Sequence, residues 1–320
     1  MFFVTFTRVF TQTFFMSFLS GYIYQTRNVG NSSWPGLVLI SQCFFHFFSF
    51  SGSGGAILST ISGLCYEFSD NTFFDCSCST NGGAFCLENG GSFSCSRSCF
   101  NKCKCSFGQA FCINQQSNGC ACNIQKITVV LCSPDLAGPR YHTLDIRNAQ
   151  CIVQEYNSSS NILYNWGTAV VFYTSYINVT HCHFADSVGA DVLGFVSTPG
   201  VTNVISTCNF LNNTRGPSDF AGTIDSYIAI TIDGCIFIQN LHKCVFYQNT
   251  GGSFNVKNCV MDSISGSNYV TSNVIIGLGI PINVQCFSTH LCQILINTQL
   301  HHTYISRIIF LVSQAIIHSY

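Results

Sequence analysis

The chain repeats one short frame at a near-constant interval. An apolar residue is followed three positions on by a small residue, usually Cys, and two positions later by Phe or Met. In the first half the frame falls at Phe10-Thr13-Phe15, Ile40-Cys43-Phe45, Phe68-Asn71-Phe73 and Cys95-Ser98-Phe100. In the second half it falls at Val179-Cys182-Phe184, Ile205-Cys208-Phe210, Ile232-Cys235-Phe237 and Val256-Cys259-Met261. From Phe15 to Phe45, Phe73 and Phe100 the steps are 30, 28 and 27; from Phe184 to Phe210, Phe237 and Met261 they are 26, 27 and 24. The 84 residues between Phe100 and Phe184 equal three steps of 28, with a weak copy at Cys151-Gln154-Tyr156, and Cys286 stands 27 after Cys259. A fixed period of this length marks a solenoid, whose stacked units bury one continuous core.

The unit reads as β. Ala229-Ile230-Thr231-Ile232 and Ala169-Val170-Val171-Phe172-Tyr173 are β-branched or aromatic and are bounded by turn residues. No segment sustains a helical apolar period over three turns. The expected fold is all-β, a right-handed parallel β-helix of about ten to twelve coils of roughly 27 residues. Residues 1–320 form one solenoid, with 104–150 less regular around a loop or insertion near Pro134–Arg140, and 291–320 a C-terminal cap. Neither 1–10 nor the apolar tail reads as a well-made cap, so an incomplete chain is a further reading.

Parity along a strand places Cys and the following Phe on one face, but the apolar residue three before the Cys on the other. All three point inward only if the chain turns a corner between the first and the second. The predicted core is therefore Ile40, Cys43, Phe45, Phe73, Phe100, Cys182, Phe184, Cys208, Phe210, Cys235, Phe237, Cys259 and Met261. Coils stack about 4.8 Å apart, so the cysteines form a column, and parallel Cβ vectors disfavour disulfides within it. Free thiols acting as small apolar groups are expected there. Three residues past the aromatic, Asn213 and Asn240 mark the next corner, where Asn adopts left-handed conformations and forms ladders between coils. About nine residues past the aromatic come Gly54-Gly55-Ala56-Ile57 and Gly82-Gly83-Ala84-Phe85, degraded to Gly108-Gln109-Ala110-Phe111 in the third copy. The glycines supply a tight bend and the following pair returns to the core.

Composition narrows the function. Charged residues are 8% and the net charge is −1, which offers no electrostatic attraction to nucleic acid. The 21 cysteines are an odd number, so at least one thiol of a monomer is unpaired. Sequons at Asn31, Asn157, Asn178 and Asn212 are candidate glycosylation sites, at a number chance alone supplies. No stretch reaches the roughly 20 apolar residues of a membrane span, and 308–317 is half that length. The apolar run Val9–Leu19 is interrupted by Thr11, Gln12 and Thr13, which weakens it as a signal peptide.

The GGAI and GGAF tetrapeptides, in phase with Phe210-to-Asn213 and Phe237-to-Asn240, resemble the repeats of polymorphic outer-membrane proteins. The pattern over about residues 10–290 also resembles cysteine-rich β-helix surface proteins of parasitic protozoa. The resemblance implies adhesion or ligand display at a cell surface, and as partner a host or cell-surface glycan or protein. A convincing signal, a C-terminal β-barrel and an anchor are not apparent in the chain.

The residue clusters admit few chemistries. The pairs Cys76/Cys78, Cys103/Cys105 and Cys120/Cys122 lack the two-to-four-residue spacer of structural zinc sites, leaving core thiols, surface thiols and disulfides open. His181 and His183 flank inward Cys182 and face outward, without a third ligand. Asp225 with Asp233, and Asp145 with Arg147, are the candidate acid groups of a pectate-lyase-like carbohydrate-active enzyme, the alternative on this architecture. Gly277 and Gly279 form a bend before Pro281, and no catalytic motif is present. No catalytic residue, metal ligand or cofactor is expected. The favoured reading is a non-enzymatic surface or secreted scaffold.

Overall fold

The computed structural model describes residues 22–26, 37–117, 119–132, 142–163, 169–174, 176–196, 203–216, 222–266, 269–276 and 292. It is an all-β solenoid with three parallel sheets as its faces. The first face holds 11 strands: Tyr22–Thr26, paired antiparallel to Leu37–Ser41, and then parallel strands to Tyr269–Ser272. The second holds 10, from Phe44–His46 to Ile275–Ile276, and the third holds 8, from Ile57–Ser59 to Cys244–Gln248. Seven full turns thus join the ends of the third face, and partial coils follow on the other two.

The frame is the passage from first face to second. Ile40, Cys43 and Phe45 are all buried, and between them Gln42 turns the corner at φ 55°. The same left-handed place is taken by Asp70, Arg97, Lys126, Glu155, His181, Thr207, Gly234 and Asn258. For an L-residue this conformation costs about 1–2 kcal/mol. Backbone hydrogen bonds between coils hold it, such as Gln42 N to Ser69 O and Asp70 N to Ser96 O, at 3.0 and 3.1 Å. Outside the first corner, Arg97 and Asp70 pair at 2.7 Å across two coils, both exposed.

Phe45, Phe73 and Phe100 stack with ring centroids 4.6 and 4.9 Å apart, and Phe184, Phe210 and Phe237 with 4.9 and 4.6 Å. Met261 follows Phe237 in register. The two stacks are separated by Val129 and Ser158, register partners that bridge Phe100 to Phe184. The weak copy is therefore displaced. Cys151 and Val153 lie on the first face, Tyr156 occupies the small-residue place, and Ser158 stands where Phe is usual. Fully buried Tyr156 supplies the volume that Ser158 lacks, its ring 5.9 Å from that of Phe184.

Cys182, Cys208, Cys235 and Cys259 are buried free thiols in one column. Each donates to carbonyls of its own and the preceding coil, as Cys208 does to Ser206 O at 3.1 Å and Val179 O at 3.7 Å. Among the described residues one disulfide is present, Cys99 to Cys292, with Cα atoms 5.7 Å apart. It sets Cys292 against the outer side of the second face, beside Val130 and Phe74.

At the second corner the left-handed residue is one position earlier than expected. Asp186, Asn212 and Gln239 have φ of 51–54°, and Asn213 and Asn240 follow them as ladder residues. At the entry to the third face Gly54, Gly82 and Gly108 have φ of 71°, 72° and 60°. A Cβ on Gly55 would lie 2.0 Å from Gly83 O, and one on Gly83 2.1 Å from Gln109 O. These glycines let successive coils close. Strands continue through 104–150 at Phe111–Gln115, Ala121–Gln125, Thr128–Val130 and Leu144–Arg147. The frame copy at Phe10, the loop near Pro134–Arg140, the bend at Gly277 and Gly279, and residues 293–320 lie outside the described residues.

Candidate binding face

The outer side of the third face carries two rows of side chains. Parallel register aligns Cys86, Cys112 and Asp145, and farther along Gly194, Asp225 and Tyr247, in one row. In the other row Glu88, Asn114, Arg147 and Tyr173 align by register. Backbone bonds from Val196 to Phe172, Tyr227 to Phe195 and Asn249 to Ser226 continue that row through Val196, Tyr227 and Asn249. Alternation along the strands puts both rows outside, since Leu144, Ile146, Phe172, Phe195, Ile224 and Phe246 fill the core between them.

The acids lie beneath the outer row. Asp145 has no exposed surface and is clamped by Arg147, whose Nε and Nη2 donate to its two oxygens at 2.9 and 2.7 Å. The same guanidinium lies 5.0 Å over the Tyr173 ring. Asp225 is 8% exposed and accepts a hydrogen bond from Asn249 Nδ2. Burial raises its carboxyl to about 6, against lowering by Asn249 and the Ser226 N–H. Burial, then the charges of Asp145 and Asp191, push Tyr173 up to about 12; burial followed by Asp225 raises Tyr227. Tyr173, Tyr227, Tyr247 and Asn249 keep part of their surface open. The face thus offers flat rings beside polar groups already held in place.

The other candidates from sequence are dispersed. Asp233 is at the end of a first-face strand and pairs with Lys257 at 3.2 Å, whereas Asp225 is on the third face. They form no pair. Asp145 and Arg147 are brought together, as a closed ion pair. His181 is an exposed corner residue, while His183 is half-buried on the second face and its pKa is lowered by burial. Cys76 and Cys103 are buried in a row with Cys132, while Cys78 and Cys105 form the adjoining pair. Cys122 is buried on the first face and Cys120 sits half-buried in the turn before it. Among the described residues no group of three or more His, Cys, Asp or Glu is arranged to hold a metal.

Asn157 is buried on the second face at 4% exposure, leaving no room for a glycan on the folded chain. Asn178 is half-buried and Asn212 exposed at a corner; Asn31 lies outside the described residues. No helix among the described residues is long and apolar enough to cross a membrane. The chain matches no protein-family model, no curated protein and no solved structure.

Proposed function

We propose that the chain is a non-catalytic display scaffold at a cell surface or outside the cell, binding a glycan along its third face. The observation that carries this reading is the outer row Arg147, Tyr173, Val196, Tyr227 and Asn249 on successive coils, which sets the two tyrosine rings two coils apart. Sugar rings present apolar faces that pack on aromatic side chains, and hydroxyls that pair with carboxylates and amides in fixed positions. Side chains repeating about every 4.8 Å along a rigid sheet suit an extended chain of sugars. The in-phase GGA and Phe-to-Asn repeats, with their resemblance to outer-membrane and protozoan surface repeats, support the same assignment. Right-handed winding is inferred from the hand that nearly all parallel crossovers adopt.

The test is a panel of neutral and acidic oligosaccharides titrated against the folded protein by calorimetry, with Tyr173→Ala and Tyr227→Ala in parallel. Saturable binding lost about tenfold or more in each variant supports the reading. Binding that both variants retain, or no binding across the panel while circular dichroism shows folded protein, overturns it. The enzymatic alternative draws on one observation: the Asp225 carboxyl, raised to about 6, stands in the range useful to a general acid. Release of reducing or unsaturated ends from a polysaccharide, lost in Asp225→Asn, would favour it.

A further inference from the structure

Past the second corner lies a pair of thiols that the third face does not use. Cys78 and Cys105 hold equivalent places on consecutive coils. Ser77 pairs with Lys104 in parallel register, and Cys78 N donates to Lys104 O at 3.0 Å. Stacked strands are about 4.8 Å apart, inside the Cα range of about 4.4–6.8 Å that a disulfide spans. The ladder ends at this pair, Cys105 lying past the bridge at Lys104 and outside any strand, so the parallel Cβ alignment of the core column is not imposed on it. Each thiol donates to a backbone carbonyl of its own turn, Cys78 to Asn81 O at 3.2 Å and Cys105 to Gly108 O at 3.3 Å, and the two sulfurs are near enough to shift each other's acidity. Cys105 is 5% exposed, whereas Cys78 is half-buried and open to a reagent.

The turn prepares one sulfur for attack and the other to follow. The neighbouring Cys105 and the polar backbone of the turn around Thr80 and Gly54 favour a charged Cys78 sulfur. Together they hold its thiol below the usual value in spite of partial burial, while burial and the neighbouring Cys78 push Cys105 up. A partly exposed thiol of lowered pKa beside a second, buried thiol is the arrangement of a redox-reactive pair. The longer columns differ in access. Cys182, Cys208 and Cys235 are fully buried, as are Cys76, Cys103 and Cys132.

We propose that Cys78 is a redox modification site and Cys105 its resolving thiol, closing a disulfide between neighbouring coils when a low-molecular-weight disulfide is the oxidant. The Cys78 thiolate attacks one sulfur of the oxidant, forming a mixed disulfide and expelling one thiolate. Cys105 gives up its proton and attacks the Cys78 sulfur, forming the Cys78–Cys105 bond and expelling the second thiolate. Both leaving thiolates take up protons. Two cysteines are oxidised and one disulfide is reduced to two thiols.

The experiment incubates reduced, folded protein with oxidised glutathione at neutral pH, quenches with acid, alkylates, and maps peptides by mass spectrometry. In wild type the expected first product is the Cys78–Cys105 linkage, with two thiols lost and no glutathione retained. In Cys105→Ser glutathione stays on Cys78, and in Cys78→Ser neither product forms. Half-buried Cys65, Cys120 and Cys244 are internal controls. Glutathione accumulating on any of these before Cys78 reacts, or a first linkage that omits Cys78, overturns the proposal. Should Cys105→Ser fail to fold, brief iodoacetamide labelling of wild type decides. Cys78 is expected to be alkylated ahead of the three controls, and its trailing them overturns the assignment.

Discussion

The side-chain amide of Asn213 donates to Oδ1 of Asn240 on the next coil at 2.9 Å, and Nδ2 also donates to Phe184 O on the preceding coil at 3.0 Å. The Asn213 Oδ1 accepts the Ser187 N–H at 3.3 Å, so one fully buried side chain ties three coils together. The column continues through Ser187 to Asn161, whose Oδ1 accepts the Cys132 N–H at 2.9 Å. Replacing Asn213 by Ala orphans the Ser187 N–H, removes one of the donors to the Phe184 carbonyl and leaves the Asn240 Oδ1 short of a donor. Each such group costs about 1–3 kcal/mol, so Asn213→Ala is expected to lose roughly 3 kcal/mol in urea unfolding. Asn212→Gly, at an exposed neighbour whose φ of 53° glycine adopts freely, is the control that tests whether the loss belongs to the ladder.

Phe210 is sandwiched between Phe184 and Phe237 at 4.9 and 4.6 Å and has no exposed surface. Truncating a buried Phe to Ala costs about 3–5 kcal/mol. Phe210→Ala should reach the upper part of that range, because it breaks two ring contacts. Phe210→Leu should recover more than half of the loss. A Phe210→Leu variant as stable as wild type would show that the stack adds nothing to simple volume, and equal stability of the two variants would show that volume alone recovers nothing.

Gly83 and Gly234 separate the two uses of glycine. A Cβ on Gly83 meets backbone atoms of Gln109 and Lys104 at 2.1–2.9 Å, whereas one on Gly234 finds nothing within 4 Å. Gly83→Ala is expected to cost several kcal/mol, at the severe end of point substitutions, because two coils must separate. Gly234→Asn keeps the left-handed corner at φ 63°, a conformation Asn tolerates. It is expected to change stability by less than about 0.5 kcal/mol. Thermal unfolding of both variants checks the contrast.

What was legible in the sequence follows from which contacts have a fixed offset along the chain. Ile40, Cys43 and Phe45 meet across one corner of constant length, so their pattern recurs. The middle coils hid because Ile127 and Val129, then Tyr156 and Ser158, fill the same places with other shapes. The corner residues carry little signal. Gln42, Arg97, Lys126 and Thr207 all adopt positive φ, held by hydrogen bonds between coils rather than by their own preference. Tyr173 and Tyr227 were missed as a pair because the stretch between the second and third faces varies in length, so no constant spacing leads to them.

Buried Asp225 and half-buried His242 give the fold opposed pH dependences. Asp225 is raised by burial to about 6, so the folded chain holds that proton more tightly than the unfolded chain does. Its contribution is complete below about pH 4, the ordinary carboxylate value, and is lost as pH rises through about 6. His242 is lowered by burial to about 4, so its contribution is present above about pH 6.5, the ordinary value, and is lost as pH falls through about 4. Each is worth on the order of 2 kcal/mol, and across this window the two slopes oppose. Asp225→Asn removes one of them, and its Oδ1 can still accept from Asn249. The variant's stability in urea is expected to rise between pH 4 and 6.5 more steeply than that of wild type. His242→Gln is expected to fall over the same interval. Parallel profiles for wild type and both variants would show that neither group carries the linkage.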